Sequence, residues 1–200
     1  MRFILASSSP RRRDLLLQAG FDFDVRAAGI EEVPQPGELP EDFARRAAQD
    51  KALAVAARAP ADSLILGADT VVVIDGEILG KPADPQDAAC MLRRLSGRAH
   101  RVITGVCLAR SPRRIEASNH ETTRVTFRSL DEEEIRSYVE SGEPLDKAGA
   151  YAIQGLASKF VAGISGCYFN VVGLPIPMVY EMLKPFLKQE ASRQQSEGSK

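Results

Sequence analysis

Two hundred residues, 44% of them hydrophobic, are enough to bury a sizeable core, as one large domain or two small lobes. A formal net charge of −1 excludes a grossly basic nucleic-acid binder, so any anion site has to be local, made by clustering. Cys90, Cys107 and Cys167 are odd in number, far apart and match no metal spacing, which argues against disulfides and for a reducing cytoplasm.

The apolar run Met1 to Ala6 is too short for a secretory signal, and no segment approaches the roughly 20 apolar residues that span a bilayer. A soluble, intracellular protein without a membrane partner is the expectation. Arg2 to Ala6 reads as a first strand, which Ser7-Ser8-Ser9-Pro10-Arg11-Arg12-Arg13 turns into a helix. Ser9 suits the N-cap, Pro10 the first helical position, Leu15, Leu16 and Ala19 form an apolar face, and Gly20 stops it. Three hydroxyls and three guanidinium groups thus meet the positive end of a helix, where free N–H groups and bidentate arginines bind phosphate. The plainer reading is a capped helix with a solvated basic first turn, although cations there oppose the helix dipole.

Phe21 to Arg26 reads as a strand leading to Glu31-Glu32 and a proline-rich loop; paired carboxylates in a loop are commonly just solvated. Glu41 to Arg58 is an amphipathic helix with Phe43, Ala44, Ala47, Ala48 and Val55 at helical spacing. Lys51 shares that side, either snorkelling along the core edge or pointing its ammonium into a cleft.

Gly67-Ala68-Asp69-Thr70 stands between Leu64-Ile65-Leu66 and Val71-Val72-Val73-Ile74, so one acid and one hydroxyl occupy a stretch whose flanks read as buried strand. Burying an unpaired carboxylate is costly, which calls for a hydrogen bond, a base or a metal beside Asp69. Alternatively the four residues form a turn, with Asp69 bonding its own backbone. Asp75-Gly76 is a two-residue hairpin signal, and Gly80-Lys81-Pro82 sets a lysine in a constrained loop.

Pro85 to Leu95 reads as a helix opened by Asp84 and closed by Ser96-Gly97. Arg101 to Ala109 and Glu116 to Arg128 read as an antiparallel strand pair around the turn Arg110 to Arg114, and His100 and His120 as non-ligands. Asp131 and Glu134 form a capping box for the next helix, with Leu130 and Ile135 as its staple. Gly142 to Gly155 is dense in small residues that allow close backbone approach, with Asp146, Lys147 and Gln154 as polar handles. Phe160 to Ile164 and Cys167 to Val172 read as strands, and Pro177 starts a terminal helix that Pro185 kinks or ends. Residues 1–188 are expected to form a single domain, and 189–200 a polar, disordered tail.

Ala6-Ser7-Ser8-Ser9-Pro10-Arg11-Arg12, Gly67 to Val72, Gly80-Lys81-Pro82, Leu95-Ser96-Gly97, Thr104-Gly105-Val106, Asp146 to Tyr151 and Ile153-Gln154-Gly155 together resemble the Maf family of nucleoside triphosphate pyrophosphatases. The resemblance implies an α/β fold like that of inosine triphosphate pyrophosphatases (Maf/Ham1), with an elongated mixed sheet, flanking helices and a cleft between two lobes. It implies hydrolysis of a nucleoside triphosphate to the monophosphate and pyrophosphate with a divalent metal cation, Mg²⁺, Mn²⁺ or Co²⁺. Ser-Pro-Arg-Arg, Ala-Asp-Thr and Ile-Gln-Gly look like the branch acting on dTTP and UTP, with modified forms such as 5-methyl-UTP and pseudo-UTP as further substrates. By the same resemblance Asp69 is the proton acceptor, Arg11, Thr70 and Gln154 are specificity positions, and Glu32, Lys51 and Lys81 are polar cleft residues. Ser7, Arg12, Lys51 and Lys81 join Arg11 as substrate contacts, and Glu32 and Asp69 are the metal-ligand candidates. A homodimer is the implied assembly. The alternative function is a nucleotide-binding regulator of septum formation and cell division with little catalysis.

Overall fold

The run from Leu64 to Ile74 is one unbroken strand, so Gly67-Ala68-Asp69-Thr70 is its middle and the turn reading is excluded. The computed structural model describes residues 2–197, the side chains of Ala191 and residues 193–197 excepted. In chain order its elements are β1 (Phe3–Leu5), α1 (Pro10–Gln18), β2 (Asp24–Val25), α2 (Pro40–Ala56), β3 (Leu64–Ile74), β4 (Glu77–Leu79) and α3 (Pro85–Leu95). There follow β5 (Ala99–Arg110), β6 (Arg114–Phe127), α4 (Glu132–Glu140), three short 3₁₀ segments, β7 (Val161–Ser165), α5 (Tyr168–Val172) and α6 (Ile176–Glu197). The strands make one mixed seven-stranded sheet in the order β2-β1-β3-β5-β6-β7, with β4 also paired to β3. β1 runs parallel to β2 and β3, and the remaining pairs are antiparallel.

Several local signals act as the sequence leads one to expect. The Ser9 side chain accepts from the Arg12 N–H at the start of α1, and Asp131 and Glu134 satisfy each other's N–H groups in a capping box on α4. Asp75 and Gly76 both take positive φ, 55° and 82°, as a tight hairpin between β3 and β4 requires.

The period of two along β3 decides what meets what. Ile65, Val71 and Val73 join clusters with α2, through Ala48, Ala52 and Val55 at one end and Phe43, Ala44 and Ala47 at the other. Leu64, Leu66 and Ala68 fall in a separate cluster with Leu15, Leu16, Val179 and Leu183. Val72 and Ile74 belong to another, with Leu92, Leu95, Phe127 and Phe160. Thr70 lies on β3 between the last two clusters, where the apolar packing is interrupted.

The sheet is interrupted at the same place. β1 pairs with β3 only at Leu64, Ile65 and Leu66, and β4 only at Val72, Val73 and Ile74, whereas β5 pairs from Leu64 through Val73. On the β1 side, Gly67 to Val71 therefore has no strand neighbour among the described residues. This gap carries Asp69 and Thr70.

α2 presses on the face of the sheet toward which Asp69 turns, seated on two glycines. A Cβ on Gly67 would stand 2.2 Å from the Ala48 carbonyl oxygen, and one on Gly105 of β5 would stand 2.0 Å from that of Ala44. Both obstacles are backbone, so only glycine allows this approach.

Three readings are revised. Cys167 to Val172 is not a strand: Tyr168–Val172 is one helical turn ended by Gly173 at φ 130°, because a short apolar run has no period that separates strand from buried helix. The strand expected over Phe21 to Arg26 shrinks to Asp24–Val25 at the sheet edge. Pro185 does not end the last helix, which runs as helix to Glu197, past the 188/189 boundary read from the sequence. Glu, Gln, Arg and Ala in that segment are good helix formers, consistent with its helical backbone. Residues 198–200 of the expected tail lie outside the described residues. No helix among those described is long and apolar enough to cross a membrane.

His100 is 2% exposed, packed edge-on against Phe127 and Tyr151, with Nε2 2.8 Å from the Tyr151 hydroxyl. Burial pushes its pKa down from 6.5 to about 4. The unfolded chain takes up this proton first, so on acidification through that window the folded state loses stability. Denaturant titrations at several pH values should show this loss in the wild-type protein, and His100→Gln should reduce the slope by up to about 1.4 kcal/mol per pH unit.

Candidate active site

The gap beside β3 opens into a cavity of about 490 Å³, and all nine residues singled out from the sequence line it. The β1–α1 connection brings Ser7, Arg11 and Arg12, β3 brings Asp69 and Thr70, and α2 brings Lys51. Glu32 arrives on the loop before α2, Lys81 on the loop after β4, and Gln154 from the segment between α4 and β7.

Successive residues of β3 face opposite ways, and the two functional side chains divide accordingly. Asp69 turns toward α2, where its Oδ1 accepts from the Lys51 ammonium at 2.7 Å. The same Lys51 Nζ lies 2.6 Å from Glu32 Oε1. Lys51 and Asp69 side chains are each only 12% exposed, so this is a partly desolvated pair rather than a surface ion pair. The lysine points its charge into the cleft rather than snorkelling to bulk solvent.

Thr70 turns the other way, toward Arg12, Thr104 and the Gly173 carbonyl. Arg12 is 8% exposed and its donors are committed to the protein. Nε donates to the Gly173 carbonyl at 2.9 Å, Nη1 to the Ala68 carbonyl at 2.9 Å and to Ser7 Oγ at 3.2 Å, and Nη2 to Thr70 Oγ1 at 3.0 Å. The guanidinium therefore takes the place of the absent strand neighbour at Ala68. Burial lowers its pKa, with the charge of Asp69 opposing that shift. The side chains of Arg11, Lys81 and Gln154 line the cavity with no hydrogen bond or ion pair among the described residues.

Glu32 and Asp69 share one wall of the cavity, Asp146 being held apart by Lys147, and among the described residues no group of three or more His, Cys, Asp or Glu gathers as a ligand set. Two carboxylates on one cavity wall fit a hard divalent ion that takes its other ligands from phosphate oxygens and water.

Three participants were not evident from the sequence. Thr104 Oγ1 is 2.9 Å from Thr70 Oγ1 and its residue is fully buried. Asn170, also fully buried, donates from its side-chain amide to the Val102 carbonyl and to Thr123 Oγ1, while its backbone carbonyl accepts from the Thr104 hydroxyl. A polar residue within an apolar run was the available signal for each, the same signal that exposed Asp69. The Gly173 carbonyl is a backbone acceptor and leaves no such trace.

The Maf-like protein family model matches residues 2–186. A dTTP/UTP pyrophosphatase of Pelotomaculum thermopropionicum is 53% identical over 183 residues, covering 92% of this chain and 95% of that protein. One from Koribacter versatilis is 54% identical over 184 residues, covering 92% and 94%, and one from Shigella sonnei is 48% identical over 194, covering 97% and 98%. Among solved structures, the Ham1 protein of Staphylococcus aureus matches 95% of this chain and 100% of its own at 13% identity and a TM-score of 0.47, a likeness too loose to bear on chemistry. With a family model spanning nearly its whole described length and relatives about half identical over nine-tenths of it, this chain belongs to the Maf-like protein family.

Proposed function

We propose that the protein is a nucleoside triphosphate pyrophosphatase that converts dTTP and UTP to the monophosphate and pyrophosphate. The observation that carries this reading is a single cavity in which two carboxylates, Glu32 and Asp69, face the cations Arg11, Lys51 and Lys81. Near-full-length relatives named dTTP/UTP pyrophosphatase supply the substrate class.

A bound triphosphate brings about four negative charges, more than one cation can balance. Arg11, Lys51 and Lys81 divide that load, so the pyrophosphate leaves already neutralised. Arg12 acts behind them, holding Ser7, Thr70 and the exposed edge of β3 in place. Asp69 takes the proton of the water that attacks the α-phosphorus; the new P–O bond forms there as the bond to the bridging oxygen breaks and the electron pair leaves with pyrophosphate. A divalent ion such as Mg²⁺ or Mn²⁺, held by Glu32 and Asp69 with phosphate oxygens and water, would add Lewis-acid neutralisation and a more acidic water.

Gln154 offers one amide donor and one acceptor, the complement of the imide N–H and carbonyl of uracil or thymine. Because Gln154 is exposed, one solvent-shared hydrogen bond is at stake, and Gln154→Ala should narrow the preference for UTP over CTP by about three- to tenfold in kcat/KM. An unchanged preference would remove Gln154 from base selection.

The activity itself is tested by incubating the protein with dTTP, UTP, 5-methyl-UTP, pseudo-UTP and purine triphosphates in the presence of Mn²⁺, and measuring pyrophosphate against orthophosphate. Pyrophosphate release from the pyrimidines is expected. Nucleotide binding without release would favour the septum-regulator reading, which nothing in the cavity otherwise recommends.

A further inference from the structure

We propose that Lys51 is the resident counter-ion of the cation site: its ammonium holds Glu32 and Asp69 together until a divalent metal takes its place, and then passes to the triphosphate. This rests on the metal and nucleotide reading above and adds the order in which charges exchange. The ammonium lies 2.6 Å from Glu32 Oε1 and 2.7 Å from Asp69 Oδ1, within the reach of both putting the two acids under one positive charge. A dication drawn to the same oxygens meets that charge directly, and the two cannot share them without mutual repulsion at close range.

The other cations cannot play this part. Arg12 is buried with its donors on Ser7, Ala68, Thr70 and Gly173. Arg11 and Lys81 are not paired with either acid, and Lys147 is held by Asp146 and the Glu143 carbonyl, so moving them frees no metal ligand. Lys51 alone sits at the end of a flexible four-carbon stem whose base is fixed, because α2 is seated on Gly67 and Gly105. Once displaced, a largely desolvated ammonium needs another anion, and without nucleotide the third carboxylate on the cavity lining, Asp146, is already held by Lys147 at 2.5 Å. A bound triphosphate supplies that anion. Metal alone should therefore bind weakly, and metal and nucleotide should strengthen each other by the same factor.

Mn²⁺ affinity measured without nucleotide, by electron paramagnetic resonance of the free ion, separates this from a general charge effect. Full-length Lys51→Met is expected to bind Mn²⁺ at least about tenfold tighter than wild type, within the usual range of site coupling. Lys81→Met deletes a positive charge from the same cavity without freeing either acid and should move the affinity far less. Equal tightening in both variants, or none in a folded Lys51→Met, would overturn the proposal. Lys51→Arg, which keeps a cation between the acids, covers the case in which Lys51→Met does not fold: its Mn²⁺ affinity should stay as low as wild type, and a marked rise would be fatal to the idea. In wild type, α,β-imido-dUTP should raise Mn²⁺ affinity, and in Lys51→Met that increment should shrink. Pyrophosphate release from dTTP, assayed on the same wild-type sample, keeps the two readings apart. Release with no Lys51 effect on Mn²⁺ removes only the counter-ion role, whereas absence of release removes the hydrolase.

Discussion

Asp69→Asn is expected to lower turnover by at least about a hundredfold while the protein stays folded. Asparagine matches the carboxylate in shape and can still accept from Lys51, but it has neither the charge to attract a cation nor the basicity to take a proton from water. Glu32 remains 2.6 Å from the same ammonium, so the substitution does not strand a buried charge. Steady-state pyrophosphate release should show the fall mainly in kcat, and the thermal melt should move little. Near wild-type turnover would mean that another group takes the proton, and Glu32 is the one within reach of the same lysine.

The largest expected loss of stability lies directly across from Asp69 on β5, at Gly105. In Gly105→Ala the new methyl would stand 2.0 Å from the Ala44 carbonyl oxygen, 2.2 Å from its carbon and 2.5 Å from the Arg45 nitrogen. All three are backbone atoms of α2, so relief requires the helix itself to lift. Overpacking of this kind costs about 3 kcal/mol or more, equivalent to a fall of roughly 6 to 12 °C in melting temperature for a chain of this size. Gly163→Ala on the edge strand β7 serves as the control, since its Cβ meets nothing within 4 Å. A Gly105→Ala protein that melts with the wild type would show that α2 is seated less tightly than described. Any Gly105→Ala protein that does fold should also be a poorer enzyme, because lifting α2 withdraws Lys51 from Asp69.

What could be read from the sequence follows from how local each cause is. Ser9, Pro10, Asp131 and Glu134 act within one turn of a helix, and Asp75-Gly76 within one hairpin, so their roles are legible from neighbours alone. Asp69 was legible as a carboxylate out of place in an apolar run, and Lys51 through its share in the apolar side of a helix. The resemblance carried the rest of the cavity lining. The gap between β1 and β4 depends on where three strands stop along β3, which no single stretch records. Arg12 likewise looked like one of three equivalent basic residues beside Arg11 and Arg13. Only the fold assigns it to the interior, where four protein acceptors receive it. The helical turn at Tyr168–Val172 was missed because five residues, apolar or aromatic but for Asn170, fit either period.

The bond from Arg12 to the Gly173 carbonyl joins positions 161 apart, and Gln154 also comes from the last third of the chain. During synthesis the amino-terminal strands and their acids leave the ribosome long before that carbonyl does. A nascent chain halted at residue 150 would own Glu32, Asp69, Arg11, Lys51 and Lys81, yet lack the clasp that seats Arg12 and the amide proposed to select the base. Competence should thus arrive late and all at once, as the final segment is released, sparing the cell a half-made hydrolase loose among its nucleotides.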